Sequence, residues 1–487
     1  MSLTPLVYLV VRTGSAGWDS VREILIRPRT LELSLASLGL AAAVAATCIA
    51  VGVPLAWLLT RTRLPGGRWW LLVAALPLAV PSYVAAYTWL AAFPAISGFV
   101  PAWAVLSLVS LPYVVLPAAA VLSQVDPAYD EVARTLGDSP VRSFRRTTAP
   151  LLWPAAAAGG LLAALYALSD FGAVSLLRYD TFTRVIFTSY RAAFDRTSAA
   201  VLSLVLVALA LAFVALERAV RSRHQQWRVG GGTARQADPV PLGAWRWPAF
   251  TAVVALYAAA VGFPALILTR LTLRSRQLEL DPGRWLTATM NTVQAAGIGA
   301  VMALLLALPI GVLAARYSDR ATRTVESAAF VSHALPGVVV GLSLVYLALA
   351  VAPRLYQTLL MLGFAYAVLF LSNAIGAIRS ATAQVSHNLE EVARSLGDSA
   401  PTAWVRVTAR LSSPGILAGA LLVLVTAMKE LPATLMLRPT GFETLATQMW
   451  TYTSVGSFSQ AAPFAAGLVV LAAVPAFLLA RLAGART

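Results

Sequence analysis

Residues Glu131 to Pro140 read E-V-A-R-T-L-G-D-S-P, and Glu391 to Ala400 read E-V-A-R-S-L-G-D-S-A. Eight of the ten positions are identical across a spacing of 260 residues, in polar segments set between long apolar runs. Each copy predicts a short helix, a glycine turn and the start of a second helix. Glu131, Val132, Ala133, Arg134 and Leu136 are compatible with a helix, which Gly137 can end in the left-handed conformation. Ser139 then offers an N-cap oxygen, and Pro140 stands at the first helical position, where its missing N–H costs nothing. In the second copy Ser399 is the cap and Pro401 falls one place later. A repeated polar helix-turn-helix in an otherwise apolar chain presents two similar handles to something in the water.

The surrounding composition sets the class. Of 487 residues, 59% are hydrophobic and 12% charged, against about a quarter charged in a soluble domain. Apolar runs of about twenty residues recur, the length that crosses a bilayer core. They lie at Leu31–Thr60, Trp69–Phe93, Ala102–Ser123, Leu151–Leu168, Ala199–Leu216, Pro248–Thr269, Thr289–Ala315, Ala328–Ala350, Leu359–Ile378, Gly415–Met428 and Pro463–Leu482. Leu3 to Val11 is apolar but about half a span long. It reads as a clipped first helix, a re-entrant piece or a surface anchor, and it lacks a signal-peptide cleavage site. The expected fold is therefore all-α and polytopic, with about twelve transmembrane helices, the first short or incomplete.

The organisation is duplicated. At the spacing of 260, Phe144 matches Trp404, Arg146 matches Arg406, Pro154 matches Pro414, Asp170 matches Glu430 and Arg178 matches Arg438. Upstream the spacing slips to 255, where Pro54 matches Pro309 and Pro81 matches Pro336. Residues 1–218 and 248–487 form two homologous six-helix halves in this reading. Residues 219–247, with five arginines nearby and Gly230-Gly231-Gly232, form a flexible basic linker on composition. Both handles follow an even number of spans in their halves, so the halves are parallel repeats with both handles on one side. Arg61, Arg63, Arg68, the linker, Arg316, Arg320, Arg323, Arg481 and Arg486 share that side, which the positive-inside rule makes the cytoplasm. Arg178, Arg184, Arg191 and Arg196 run against the bias.

A net charge of +16 would point to nucleic acid in a soluble chain. Here arginines flank the spans, where charge orients helices and meets anionic lipid, so no nucleic-acid partner is implied. Cys48 is the only cysteine and lies in an apolar run, which excludes a disulfide framework and a thiolate metal site. His224, His333 and His387 are scattered and form no metal cluster. There is no G-x-x-x-x-G-K-[ST] loop, and Lys429, the only lysine, lies at a span. The chain is not an enzyme by this reading and binds no cofactor of its own.

The handles resemble the EAA loop of permeases of ATP-binding-cassette importers. In the first half Glu131, Ala133, Gly137, Phe144, Pro150 and Pro154 carry the likeness; in the second Glu391, Ala393, Gly397, Trp404 and Pro414 do. Val132 and Val392 replace the first alanine of the pattern, and Arg410 stands where the first half has Pro150. Ser169 to Asp180 and Met428 to Thr434 are similar to the fused ferric-iron permeases, a likeness running from about Leu31 to Leu482. The resemblance implies two cytoplasmic ATPase subunits as partners, with ATP and Mg on those subunits. It also implies an extracytoplasmic solute-binding protein and a bacterial cytoplasmic (inner) membrane location. Glu131 and Glu391, near helix starts, suit the dipole and can pair with a partner's arginine. Gly137 and Gly397 allow a sharp turn and close approach. Closure of the ATPases would draw the two loops together and turn the permease outward.

Asp170, Lys429 and Glu430 end the fifth apolar run of each half. Ionisable groups at membrane depth commonly face a pathway or one another. Gly172 and Pro432 follow closely and predict a helix break exposing backbone polar groups. These three residues are the candidate translocation pathway; as the alternative, they cap helix ends. Thiamine and phosphonate are the other substrates that the resemblance allows. A free-standing secondary transporter or channel is the competing class, but it has no use for two ATPase-docking loops.

Overall fold

Within a bilayer the backbone must satisfy its own hydrogen bonds, and the apolar runs of this chain do so as helices. The computed structural model describes residues 4–15, 17–67, 69–126, 128–191, 195–222, 239–275, 281–317 and 319–484. Among them nine helices are long and apolar enough to cross a membrane, or ten if one bent pair counts as a single span. The longest are Pro28–Arg61 and Pro282–Arg316, the matching spans of the two repeats. Pro54 and Pro309 lie inside them at matching positions without ending either helix.

Two expected spans are broken. Trp69–Ala79 and Ser82–Ala92 meet at 85°, with Pro81 at the bend. In the second half, helix Arg320–Phe330 and the 3-10 turn Val331–Ala334 precede Leu335-Pro336 and helix Gly337–Val351. The N-terminal apolar stretch forms helix Thr4–Gly14 of 11 residues, about 16 Å long and short of a bilayer core. A second short helix, Trp18–Ile26, follows it. Most of the expected linker, residues 223–238, lies outside the described residues. What is described of it is helical to Ser222 and, from Pro239, tied to the first basic turn: Val240 N–H donates to Arg61 O at 2.8 Å and Arg63 N–H to Val240 O at 3.1 Å.

The chain packs as two units that cut across the sequence repeats. One comprises Arg27–Val185 with Ala208–Leu268; the other comprises Met1–Ile26, Ile186–Val207 and Thr269–Thr487. In the first, Leu55, Ala56, Leu59, Val115, Ala118, Leu122 and Leu152 form a core that also takes in Val253 and Tyr257 from the helical segment after the linker. Trp70 stacks on Tyr257 and meets Phe250 edge-on, which ties that segment to the first repeat. In the second, Ala300, Ala303, Ala307, Ala367, Leu371, Ala374, Ile375, Ile378 and Val423 form the core between three spans. Small residues let these helices approach closely, the usual means of packing in lipid. A Cβ at Gly159 would stand 2.3 Å from Tyr113 O, and one at the matching Gly419 would stand 2.6 Å from Ala377 Cβ.

Candidate functional site

Both handles fold to the same design of helix, glycine turn and second helix, but their first helices begin at Ala128 and His387, which places Glu131 and Glu391 in mid-helix rather than at the helix start. Helices Ala128–Thr135 and His387–Ser395 end at glycines with positive φ, +91° at Gly137 and +101° at Gly397. Asp138 N–H donates to Ala133 O at 3.0 Å while Gly137 N–H donates to Arg134 O at 3.0 Å; Asp398 and Gly397 repeat both bonds to Ala393 O and Arg394 O at 3.1 Å. This is the Schellman closure, in which the two carbonyls left over at a helix end are satisfied by the turn. Ser139 and Ser399 then cap the next helix, each accepting from a backbone N–H three residues on at 3.4 Å.

The sequence reading did not single out Asp138 and Asp398, which clamp these turns. Asp138 pairs with Arg146 at 3.4 Å and Asp398 with Arg406 at 2.7 Å. The arginines sit in π-helical turns, Phe144–Thr148 and Trp404–Ala409, that lead without interruption into the next span. The identity of Asp138 and Asp398, together with the repeat match of Arg146 and Arg406, was the signal available for this clamp.

The outer surfaces of the handles are unusually apolar for solvated turns. Leu136 and Leu396 are 82% and 83% exposed, and Val132 and Val392 are likewise exposed. Among the described residues other than the glycine and its chain neighbours, no heavy atom lies within 4 Å of a Cβ placed at Gly137 or Gly397, so both glycines face open space. Glu391 is exposed and lies 3.9 Å from His387 Nε2. Glu131 lies on the first handle helix, and its side chain is outside what the structure describes. Ala133 and Ala393 are half-buried, and their carbonyls hold the closure.

The second set of expected residues sits where helix breaks meet. Asp170 follows the helix Ala149–Ser169 and is buried. Its carboxylate accepts from the Ser82 hydroxyl, from Ala173 N–H at 2.9 Å and from Val174 N–H at 3.3 Å. Ser82 is the first residue after the Pro81 bend, so one carboxylate ties together the breaks of two spans. Glu430 occupies the matching break in the other unit. Its carboxylate accepts from Ala433 N–H at 3.0 Å, and the Thr434 hydroxyl donates to its carbonyl at 2.7 Å. Tyr366 shares a 2.7 Å hydrogen bond with Thr434. Lys429 is half-buried at the end of its helix, with its N–H on Thr426 O at 3.2 Å. Asp170 and Glu430 therefore both start the short helices that follow, Gly172–Leu176 and Pro432–Leu437.

Residues 49–226 and 307–485 each match the family described as binding-protein-dependent transport system inner membrane component. The chain belongs to this family. Each matched range contains one handle and one of the two carboxylates, Asp170 or Glu430. The chain is 33% identical over 482 residues to the Fe(3+)-transport system permease protein FbpB 2 of Haemophilus influenzae, covering 98% of this chain and 95% of that protein. It is 30% identical over 251 residues to the sulfate transport system permease protein CysT of Escherichia coli, covering 47% of this chain and 90% of the relative. A further relative is the molybdenum transport system permease protein ModB of Mycobacterium tuberculosis, 32% identical over 184 residues, covering 35% of this chain and 69% of the relative. This inner-membrane transport component is thus a multi-pass bacterial permease, and its relatives are transport subunits.

Proposed function

We propose that this permease is the membrane subunit of an ATP-driven importer for ferric iron. Two cytoplasmic ATPase subunits dock on the Glu131–Pro140 and Glu391–Ala400 loops, and a solute-binding protein delivers the ion from outside. The observation that carries the docking is the matched pair Leu136 and Leu396, each more than four-fifths exposed beside a glycine that faces open space. An exposed leucine on a rigidly closed turn is a ready knob for a partner's cleft. ATP hydrolysis then belongs to the partners, and this chain supplies no catalytic group.

The iron substrate is supported by likeness along nearly the whole chain to a ferric-iron permease, whereas the sulfate and molybdenum relatives align with half of it or less. Asp170 and Glu430 are the proposed carboxylates of the pathway, with Lys429 tempering the second. A hard trivalent cation is attracted by carboxylate oxygen, while their role as helix caps keeps them from closing around it as a tight cage. Thiamine and phosphonate are the competing substrates that the resemblance allows.

The test is uptake in a strain deleted for this gene. Loss of labelled ferric iron uptake, restored by the intact gene, is the expected result. Unchanged iron uptake with loss of thiamine, phosphonate, sulfate or molybdate uptake would reassign the substrate and leave the importer class standing.

A further inference from the structure

Arg316 is the last residue of the span Pro282–Arg316. Its guanidinium donates to Val385 O at 2.9 Å, to Glu390 Oε1 at 2.7 Å and to Thr408 Oγ1 at 3.2 Å. The Thr408 hydroxyl in turn donates to the same carboxylate oxygen. Both charged side chains are mostly buried, at 13% exposure for Arg316 and 15% for Glu390. Val385 lies just ahead of the second handle helix, Glu390 lies in its first turn, and Thr408 lies in the π-turn that roots the following span. One guanidinium thus gathers the end of one span, the start of the handle and the base of the next span.

In the first repeat the structure describes one of these bonds. Arg61 ends the span Pro28–Arg61 and donates to Val125 O at 2.7 Å. Arg61 matches Arg316 at the 255 spacing, and Val125 matches Val385 at the 260 spacing. Asp130 and Thr148 occupy the positions of Glu390 and Thr408. Position in the sequence shows these arginines only as part of the positive-inside bias, because their bonding partners lie 64 to 92 residues away.

We infer that Arg316, and Arg61 in the first repeat, are positioning residues that make each handle and its span move as one body. This rests on the proposed docking of ATPases at the handles. A planar guanidinium with three acceptors on separate segments resists bending in a way that a polypeptide link does not. When the ATPases pull on the handles, Arg316 passes the displacement to the span; without it, the loop absorbs the displacement.

The experiment uses the full chain purified with its ATPase and reconstituted with its loaded binding protein. The variants are Arg316→Gln, Arg316→Lys and Glu390→Gln. Three quantities are read: ATPase co-purified, ATP hydrolysed, and solute taken up per ATP. Arg316→Gln is expected to keep co-purification and hydrolysis while uptake per ATP falls about fivefold or more. Arg316→Lys, which keeps the charge but not the fork, and Glu390→Gln, which keeps the shape, are expected to fall in the same direction by less. Unchanged uptake per ATP in all three variants would overturn the inference, as would a parallel loss of all three quantities. Failure of the unsubstituted chain to hold the ATPase would instead refute the docking itself.

Discussion

Gly337 lies so close to Glu430 that a Cβ on the glycine would stand 2.4 Å from Glu430 Oε1. The matching position of the first repeat holds Ser82, whose hydroxyl bonds the shorter carboxylate of Asp170. The two sites are compensated versions of one joint: serine with aspartate in one half, glycine with glutamate in the other. Each joins a proline bend to a helix break, where main-chain polar groups would otherwise go unsatisfied in lipid.

Putting the first-half serine into the second half should therefore destabilise it. Gly337→Ser forces the Glu430 carboxylate away from Ala433 N–H, at a cost of about 1–3 kcal/mol. Gly337→Ser combined with Glu430→Asp recreates the first-half pair and should recover most of the loss. Thermal unfolding in detergent checks this, and an equal drop in the single and double variants would argue against the compensation.

The exposed leucines should matter to the partner and not to the fold. Leu136→Ser with Leu396→Ser is expected to change stability by about 0.5 kcal/mol or less, as for other exposed positions. The same pair should sharply reduce capture of the ATPase by the purified permease. Gly397→Asp should reduce capture too, with an added strain of about 1–2 kcal/mol because its φ is positive. Undiminished capture by the double leucine variant would remove the loops from the docking surface.

Neutralising the two break carboxylates should lower uptake with docking intact. Asp170→Asn with Glu430→Gln keeps shape while removing charge that attracts a cation strongly in a partly dehydrated site. Asp170→Asn is expected to be the worse single change. Its carboxylate gathers Ser82 and two backbone N–H groups, whereas that of Glu430 accepts from Ala433 N–H and has Lys429 next to it in the chain. Uptake of labelled iron at matched membrane expression is the readout; full uptake by the double variant would leave these residues as caps alone.

The turn clamps should be minor contributors by comparison. Asp398→Asn removes the pair with an exposed Arg406, and pairs of that kind contribute about 1 kcal/mol or less. A small, salt-sensitive fall in unfolding temperature is expected, and a loss comparable to that of Gly337→Ser would show the clamp to be more deeply coupled.

Much of this was legible in the sequence because it depends on local rules. The apolar runs gave the helices, and the E-V-A-R-x-L-G-D-S repeat gave two closed turns whose glycines do adopt positive φ. Gly172 and Pro432 marked the breaks that follow Asp170 and Glu430. What escaped was set by contacts distant in sequence: Ser82 meets Asp170 across 88 positions and Arg316 meets Glu390 across 74. Leu136 and Leu396 could be read as helix-compatible, but periodicity cannot say that they face outward. Nor does it reveal that residues 186–207 pack with the second repeat's spans while the start of that repeat packs with the first.

The most direct test of the importer reading is transport into proteoliposomes holding this permease and its ATPase, with iron-loaded binding protein on one side and ATP on the other. ATP-dependent accumulation of labelled iron, abolished when the ATPase is omitted, is the predicted result. Accumulation that persists without the ATPase, driven by an ion gradient alone, would contradict it.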